Sequence, residues 1–491
     1  MIFSYLVLYF HGLEAGREKR MRTTSIGVIF GNREFFPDHL VTEARKDIQD
    51  LFQEQNIKPI MVGENDTKLG SVETYEHAKI CAALFKKHQD EIDGILVVLP
   101  NFGDEKGVAD AIKLSGLRVP ILVQAYPDDL AALDINHRRD AFCGKISVCN
   151  NLRQYGFNYS LTSLHTSSPK NESFKADLEK FVRVCRVVKG LRNVRLGAIG
   201  ARPAAFTTVR YSEKILQAHG MSVTTIDLSE IFGNAAMLSD DDGKVKDKLS
   251  NIKAYAKHAS VPSPLLVKMA KLGIVISDWM EANELDASAI QCWTSIQQNY
   301  GISACTLMSM MSDQLMPSAC ELDITGAVSM YALQLASGFP GALVDWNNNY
   351  KDDPDRCALF HCGNWASSFV PDNEIRTASI LGTTLGEENT YGAMAGRASA
   401  GPLTYARVST DDVHGVIRTY TGEGELTDDP LDTFGHQAVA HVPGLQSLMK
   451  YVCKNGFEHH VAITMGKVAA VLDEAFTTYM GWENYLHGLK K

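Results

Sequence analysis

The segment SIGVIFG, residues 25–31, decides how the first part of the chain folds. It contains no charged residue, and its apolar side chains occupy both faces of an extended chain. A strand without a polar face is typical of a parallel sheet that is buried on both sides. GILVVLP (94–100) and VPILVQAY (119–126) repeat the pattern. The three segments are therefore predicted to be strands of one parallel sheet.

Amphipathic segments lie between these strands. In LVTEARKDIQDLFQEQN (40–56) and TYEHAKICAALFKKHQDEI (74–92), apolar residues recur every three or four positions, which indicates helices. Strands that alternate with helices predict a parallel sheet with helices on both faces. We place this N-terminal α/β domain at residues 22–170, after an extension at residues 1–21.

A second α/β domain is predicted at residues 171–345. VRLGAIGARP (194–203) has the pattern of a strand that ends in a Gly/Pro turn, and FTTVRYSEKILQAHG (206–220) that of a helix. Further strands are expected at SVTTIDLS (222–229) and KLGIVISDW (271–279), and further helices at 285–299 and 326–337.

The last third of the chain has a different pattern. GPLTYARVST (401–410) and HGVIRTYTGEGEL (414–426) alternate apolar and polar residues, as do strands with one solvated face. A mostly antiparallel β-barrel domain with a final helix is predicted at residues 346–491. The complete prediction is α/β: two Rossmann-like parallel-sheet domains followed by this barrel.

Composition excludes several classes of function. The chain has 491 residues, of which 45% are hydrophobic and 22% charged, as in globular proteins. Its net charge is −10 and no segment concentrates Lys and Arg, which argues against nucleic-acid binding. MIFSYLVLYF (1–10) is too short to span a bilayer, and its basic residues follow it, unlike those of a signal peptide. We expect a start at Met21, no membrane association and a cytoplasmic location. The ten cysteines include no Cys-x-x-Cys pair and are interpreted as reduced, buried thiols.

Metal-type ligands occur beside apolar segments at three places. They are Glu321 in CELDITGAV (320–328), Asp345 in ALVDWNNN (342–349), and the histidines His361, His459 and His460. A buried ionised acid costs several kcal/mol unless it is paired, and a divalent cation is one such partner. Carboxylates with one or two imidazoles suit Mn²⁺.

Each of these residues also has an ordinary structural explanation. A single acid at a strand end is often a helix cap or an ion-pair partner, and His361 could be a core histidine. Because neighbours on a strand face opposite ways, just one of His459 and His460 is expected to reach a metal. Arg33, in a loop after the first strand, could contact an anion or a sugar hydroxyl, or be solvated.

Four stretches together resemble the L-fucose isomerase/L-arabinose isomerase superfamily, in its fucose-isomerase-like branch. They are RLGAIGARPAAFTTVRYSE (195–213), MPSACELDITGAVSMYAL (316–333), LVDWNNNYKDDPDRCALFHCGNW (343–365) and NGFEHHVAITMG (455–466). The resemblance implies aldose–ketose isomerisation with a divalent metal, usually Mn²⁺, and a homotrimer or homohexamer with pockets at subunit interfaces.

The resemblance also assigns roles to residues. Glu321, Asp345 and His460 take the positions of metal ligands, and His361 that of a further ligand in arabinose-type enzymes. The two acids are candidates for moving a proton between C1 and C2 of the sugar through an enediol. The side chains near them, which either line a sugar pocket or are turn and core residues, are Trp346, Asn347, Asn348, Trp365 and His459.

The substrate is left open by the sequence. An L-fucose- or L-arabinose-like sugar is one prediction, and sulfoquinovose, which is converted to sulfofructose by one fucose-isomerase-like group, is another. A sulfonate would need a cationic partner, for which Arg33, Arg202, Arg210 and Arg376 are available. A second class of function is a non-catalytic sugar-binding protein, because sugar receptors also place two α/β domains around a cleft.

Overall fold

The chain folds into two compact units. A computed structural model describes residues 23–489, so the predicted extension at 1–21 lies outside the described residues. The N-terminal unit comprises the described residues up to Lys189 together with Glu474–Gly481. The C-terminal unit comprises Gly190–Asp473 and the described residues from Trp482 onward. The domain boundaries at residues 170 and 345 stay predictions.

The N-terminal unit contains a six-stranded, fully parallel sheet, as predicted. Its strand order is β2-β1-β4-β5-β6, with β3 beside β1. The strands are β1 (Ser25–Gly31), β2 (Lys58–Met61), β3 (Ser71–Val72), β4 (Ile92–Leu99), β5 (Ile121–Ala125) and β6 (Ser160–Leu161). The helices are α1 (His39–Glu54), α2 (Tyr75–Lys87), α3 (Glu105–Ser115), α4 (Ala141–Gln154) and α5 (Glu172–Arg192).

Both faces of this sheet are buried, as the apolar pattern of β1 predicts. Ile26 and Val28 pack in one apolar cluster and Ile29 in another. Burial of each such side chain contributes roughly 1.5–3 kcal/mol. Gly27 lies under the ring of Phe85, where an added Cβ would be 2.8 Å from the ring. The glycine therefore allows α2 to pack closely on the sheet.

The C-terminal unit contains a second parallel sheet, with the order β10-β9-β7-β8. Its strands are β7 (Arg195–Ile199), β8 (Ser222–Ile226), β9 (Ala287–Ile290) and β10 (Ser318–Ala319). The helices are α6 (Glu213–Ala218), α7 (Leu228–Met237), α8 (Gly243–Tyr255), α9 (Ser263–Ala282), α10 (Ser295–Tyr300), α11 (Cys305–Asp313) and α12 (Ile324–Ser337).

One prediction in this region is wrong and another is confirmed in part. The predicted strand at 271–279 lies inside α9, a helix with buried residues on all its faces, so its apolar run carries no helical period. The segment predicted as a helix at 285–299 begins with β9, which completes the sheet between β7 and β10, and is helical at its end, in α10. The predicted helix at 326–337 is confirmed as α12.

The largest sheet has nine strands and is mostly antiparallel, as predicted. Its order is β13-β14-β17-β12-β11-β18-β15-β16-β19. The strands are β11 (Ala342–Asn349), β12 (Arg356–His361), β13 (Glu374–Arg376), β14 (Ala393–Arg397), β15 (Gly401–Asp411), β16 (Val416–Thr427), β17 (His436–His441), β18 (His460–Met465) and β19 (Glu483–His487). The helices are α13 (Ser379–Leu385), α14 (Leu445–Lys454) and α15 (Ala469–Asp473). β16 also pairs with β17, which favours barrel closure; the barrel itself stays a prediction.

The candidate site lies where strands of the two sheets of the C-terminal unit come together. The residues that follow β7, β9 and β10 lie at the carboxyl edge of the parallel sheet, where ligands bind in open α/β sheets. β11, β12 and β18 of the large sheet supply the remaining side chains. Within residues 23–489, no helix has the length and apolar character needed to cross a membrane.

Candidate metal centre and active site

Glu321, Asp345 and His460 converge in the C-terminal unit. Glu321 follows β10, Asp345 lies in the middle of β11, and His460 begins β18 directly opposite Asp345 in the antiparallel register. His460 Nε2 is 2.9 Å from Glu321 Oε2 and 3.5 Å from Asp345 Oδ1. Side chains that are far apart in sequence therefore direct two oxygens and one nitrogen to the same point.

These three atoms have no hydrogen-bond partner among residues 23–489. Glu321 Oε2, Asp345 Oδ1 and His460 Nε2 are all buried and unpaired, because the 2.9 Å approach of His460 to Glu321 does not have hydrogen-bond geometry. Leaving a buried polar atom unpaired costs about 1–3 kcal/mol. A divalent cation would satisfy all three atoms at once, and this donor set of carboxylate oxygens and an imidazole nitrogen suits Mn²⁺.

The second nitrogen of His460 fixes the tautomer of the ring. Nδ1 lies 2.8 Å from Oδ2 of Asp323, a carboxylate that also accepts two hydrogen bonds from Arg407, at 2.6 and 3.0 Å. Because the paired carboxylate accepts hydrogen bonds, Nδ1 must donate, and the neutral ring then has a lone pair on Nε2. A carboxylate behind a ligating histidine is the usual support of a metal-bound imidazole.

His361 presents the opposite tautomer. Its Nδ1 accepts a hydrogen bond from the backbone N–H of Cys362 at 2.9 Å, so the neutral ring carries its proton on Nε2. That nitrogen is 3.6 Å from Glu321 Oε2. In this arrangement His361 offers a hydrogen-bond donor to the site. Ligation of a metal through Nε2 requires the other tautomer, and this role stays a prediction.

Both residues of the His459–His460 pair reach the site. His459 Nε2 is 3.5 Å from Asp345 Oδ1, and Asp345, His459 and His460 form one group of potential metal ligands. The expectation that one of the two would turn away rested on strand alternation. β18 begins at His460, so His459 lies in the preceding loop and does not obey that alternation.

The carboxylates and imidazoles perturb one another. Burial raises the pKa of Glu321, but His361 and His460 more than offset this and hold that pKa well below its usual range. Burial lowers the pKa of His460, yet the carboxylates of Asp323 and Glu321 raise it overall to about 10. Burial also lowers the pKa of His361, and Asp345 and Glu321 raise it overall. In the absence of a cation, a proton bound to the histidines therefore compensates the negative charge of the carboxylates.

A tight turn directs Glu321 into the site. Glu321 and Leu322 both have left-handed backbone, with φ of 57° and 59°, and the N–H of Asp323 donates to the carbonyl of Cys320 at 2.9 Å. Such a turn costs of order 1–3 kcal/mol for each non-glycine residue, a strain that concentrates at functional sites. Trp293 donates its indole N–H to Glu321 Oε1 at 3.1 Å and fixes the carboxylate.

A cavity of about 490 Å³ opens beside Glu321, Asp345 and His361. One part of its wall is apolar or sulfur-bearing, and another is the segment from Arg376 to Leu381. Arg376 is the one Lys or Arg side chain among the described residues that line it. The volume falls in the range of small-molecule sites, about 300–1,000 Å³, and accommodates a monosaccharide.

The tryptophans and asparagines predicted to contact the sugar are not among the residues that line this cavity. Trp365 is fully buried and donates its indole N–H to the carbonyl of Leu343. Of the two alternatives for Trp365, a sugar contact or a core residue, these contacts favour the core residue. Trp346 donates to the hydroxyl of Tyr420 at 2.9 Å. Asn347 and Asn348 are exposed at the end of β11. Their sugar-binding roles stay predictions.

Arg33 lies in the N-terminal unit. Its guanidinium donates to the carbonyl of Gly103 at 2.8 and 2.9 Å, pairs with Glu105 and stacks on the ring of Phe102. These contacts fix the side chain within its own unit. Its predicted contact with a sugar or an anion stays a prediction.

Sequence reasoning did not identify three residues of the site. Asp323 and Arg407 are fully buried and are joined by two hydrogen bonds, and Glu458 accepts from Arg407 Nε at 3.1 Å. Asp323 also caps α12 by accepting from the N–H of Gly326 at 2.8 Å. The available signal was an arginine inside the apolar strand LTYARV (403–408), which needs a buried acid as partner.

Comparison with known families matches both ends of the chain. Residues 27–192 match the family described as fucose/sulfoquinovose isomerase, N-terminal domain, and residues 359–487 match L-fucose isomerase, C-terminal domain. Both are sugar-isomerase families, so the chain is a sugar isomerase that interconverts an aldose and a ketose. It belongs with the fucose/sulfoquinovose isomerases, whose N-terminal and C-terminal domain families it matches.

Several curated proteins with similar sequences are named sulfoquinovose isomerase. The sulfoquinovose isomerase of Priestia aryabhattai is 25% identical over 402 residues, which are 78% of this chain and 83% of the relative. That of Clostridium sp. (strain MSTE9) is 24% identical over 338 residues, 67% of this chain and 73% of the relative. That of Alkalicoccus urumqiensis is 22% identical over 386 residues, again 78% and 83%.

Proposed function

We propose that Glu321, Asp345 and His460 hold a divalent cation, Mn²⁺ or a similar ion, at which the sugar is isomerised. The observation that supports this most strongly is the set of three buried, unpaired ligand atoms that point at one another. When bound, such an ion acts as a Lewis acid toward the carbonyl and hydroxyl oxygens of an open-chain sugar.

The residues around the site have distinct tasks in this proposal. Glu321 is fixed by Trp293, and Asp345 is the more accessible acid, with 22% of its side chain exposed against 12% for Glu321. Asp345 removes the proton from C2 to give an enediol and, as the protonated acid, returns it to C1, while the ionised Glu321 accepts the proton of the C2 hydroxyl and passes it to O1. His361 directs its Nε2 at Glu321, where an N–H can donate to the carboxylate or to a substrate oxygen.

The test is isomerisation in deuterated water, followed by NMR, for Asp345→Asn, Glu321→Gln and a control. Asp352→Asn replaces an exposed acid in the loop after β11 and serves as the control. General acid–base catalysis contributes about 10²–10⁴-fold, so each site variant should lose at least that factor in kcat, with its fold intact. Full turnover in either site variant would refute the role. Sugar binding without turnover in the wild-type chain would favour a sugar-binding protein.

We propose sulfoquinovose as the first substrate to test. The relatives named above are sulfoquinovose isomerases, and Arg376 offers a guanidinium in the cavity lining. Its partner Glu374, at 2.6 Å, shares the charge, and 60% of the Arg376 side chain is exposed. L-Fucose, which has no sulfonate, represents the alternative of a neutral sugar.

Arg376→Gln separates the two substrates. A hydrogen bond to a charged group contributes about 1.5–3 kcal/mol, so KM for sulfoquinovose should rise roughly 10- to 100-fold while KM for a neutral aldose changes little. Equal effects on both sugars would remove Arg376 from sulfonate recognition. Turnover of L-fucose alone in the wild-type chain would refute sulfoquinovose as the substrate.

Oligomeric state and location are also part of the proposal. A homotrimer or homohexamer, in which the N-terminal unit of one subunit completes the pocket of another, is tested by light scattering on the full chain. Arg33→Ala would then raise KM in the oligomer. A monomer with full activity would refute shared pockets. A cytoplasmic location stays a prediction from the sequence.

A further inference from the structure

Four cysteines lie together beside the carboxylate–imidazole site. Cys292 follows β9, Cys305 begins α11, Cys320 follows β10 and Cys362 follows β12. Cys362 Sγ is 3.4 Å from both Cys305 Sγ and Cys320 Sγ. The sulfurs of Cys292, Cys320 and Cys362 all lie within 4.8 Å of one another. We call these four residues the thiol cluster.

The spacing of the sulfurs fits a metal ion. A Zn–S bond of about 2.3 Å places the sulfurs of a tetrahedral site roughly 3.8 Å apart. Two of the separations are 3.4 Å, and the sulfurs of Cys292, Cys320 and Cys362 all lie within 4.8 Å of one another, so the spacing is compatible with that value. Met308 adds a thioether sulfur 4.0 Å from Cys320. Thiolate and thioether ligands select Cu⁺ or Zn²⁺ rather than Mn²⁺.

The cluster is shielded from solvent yet accessible from the cavity. Cys292 and Cys305 are each 3% exposed and Cys320 is fully buried. Cys292, Cys305 and Cys362 line the cavity that opens beside Glu321. An ion can therefore enter from the cavity and reach at least three sulfurs without a change of fold.

We propose that the thiol cluster is a second metal site, for a thiophilic ion of the Zn²⁺ type. Cys292, Cys320 and Cys362 are its ligands, and Cys305 is the fourth sulfur. Binding exchanges three thiol protons for three sulfur–metal bonds: one Zn²⁺ and three thiols give a Zn²⁺–tris(thiolate) and three protons. No oxidation or reduction takes place. The site is separate from the one formed by the two carboxylates and His460.

The first test uses Cd²⁺ as the probe, because thiolate–Cd²⁺ bonds have a charge-transfer absorption in the near ultraviolet. The protein is the reduced, metal-free full chain that carries Cys143→Ser and Cys453→Ser, which remove the two exposed thiols. One equivalent of Cd²⁺ should saturate the absorption, and a protein first loaded with one Zn²⁺ should release that ion as Cd²⁺ is added. A gradual rise without a one-equivalent endpoint would overturn the proposal.

Variants locate the ion. Cys292→Ser should abolish the absorption, and Cys357→Ser, which replaces a buried thiol outside the cluster, should leave it unchanged. Asp345→Asn should weaken Mn²⁺ binding without changing the Cd²⁺ signal, so that failure of this proposal and failure of the proposed function can be told apart. A folded Cys292→Ser protein that retains the full absorption would overturn the assignment.

A measurement without variants covers the case in which a cluster variant fails to fold. X-ray absorption at the zinc edge of the wild-type chain loaded with one Zn²⁺ should show three or four sulfur neighbours at about 2.3 Å. A first shell of nitrogen and oxygen alone would place the ion elsewhere and overturn the proposal.

Discussion

The contact between Asp323 and His460 allows a sharp test of the metal centre. Asp323 does not point at the proposed ion; it orients His460 from behind, through a 2.8 Å hydrogen bond to Nδ1. Asp323→Asn keeps the shape of the side chain but removes its charge. The amide also offers N–H groups, so it no longer requires the Nδ1–H tautomer that leaves the lone pair on Nε2.

The expected loss follows from similar supporting contacts in other proteins. Removal of the group behind a ligating histidine typically reduces metal affinity 10- to 100-fold, or about 1.4–2.7 kcal/mol. Isothermal titration of the metal-free protein with Mn²⁺ at fixed pH measures it. The melting temperature is recorded for the same samples, because Asp323 also neutralises Arg407 and caps α12.

Glu458→Gln is the matched control. Glu458 is 5% exposed and is the second carboxylate of Arg407, but its hydrogen bonds go to Arg407 and Ser409 rather than to His460. Both variants should lower the melting temperature, whereas Mn²⁺ affinity should fall in Asp323→Asn alone. Equal losses of affinity in the two variants, or none in either, would refute orientation of His460 by Asp323.

Three further predictions follow from burial and charge. Because the pKa of His460 is raised to about 10 in the metal-free protein, Mn²⁺ must displace about one proton from this residue at pH 7. The affinity for Mn²⁺ should therefore increase about tenfold per pH unit. Calorimetry in buffers with different heats of ionisation measures the released proton, and its absence would contradict the role of His460 as a ligand. Arg407→Met leaves Glu458 buried without its cation and Asp323 with His460 as its remaining partner. The free energy of unfolding, measured in urea, should fall by about 3–5 kcal/mol, and a loss under about 1 kcal/mol would show that the carboxylates find other partners. Gly27→Ala places a methyl group 2.8 Å from the Phe85 ring and should lower stability by about 1–3 kcal/mol in the same assay, unless the ring can move away.

The sequence predicts the strands more reliably than it predicts buried helices. The parallel strands of the N-terminal unit have apolar residues on both faces and few alternatives. β15 and β16 are strands, as their alternating sequences predict, but residues 403–409 of β15 are all buried, so the solvated face expected from that pattern is missing there. KLGIVISDW (271–279) has the same composition as a buried strand. Residues 272–276 of α9 are all buried, so this part of the helix has no helical period and its pattern is that of a buried strand.

Some residues of the candidate site can be predicted from the sequence and others cannot. Glu321, Asp345 and His460 could be selected because their motifs resemble a known family, although no spacing among them forms a compact metal motif. Asp323 appears in sequence as one more acid next to Glu321, and its partner Arg407 lies in a strand of another sheet. The thiol cluster gives no signal at all, since its four residues come from separate elements.

The segments at the carboxyl ends of β10 and β12 are sensitive to the insertion or deletion of a residue. At each, adjacent residues belong to different groups of potential ligands: Cys320 precedes Glu321, and His361 precedes Cys362. Insertion or deletion of one residue in either segment would move one ligand into the place of its neighbour, which exchanges sulfur for oxygen or nitrogen there, and would bring a non-ligand residue into the other place. Preference for hard or soft ions therefore depends on alignment of the chain as much as on composition, and metal selectivity could be redesigned here without introducing any new type of amino acid.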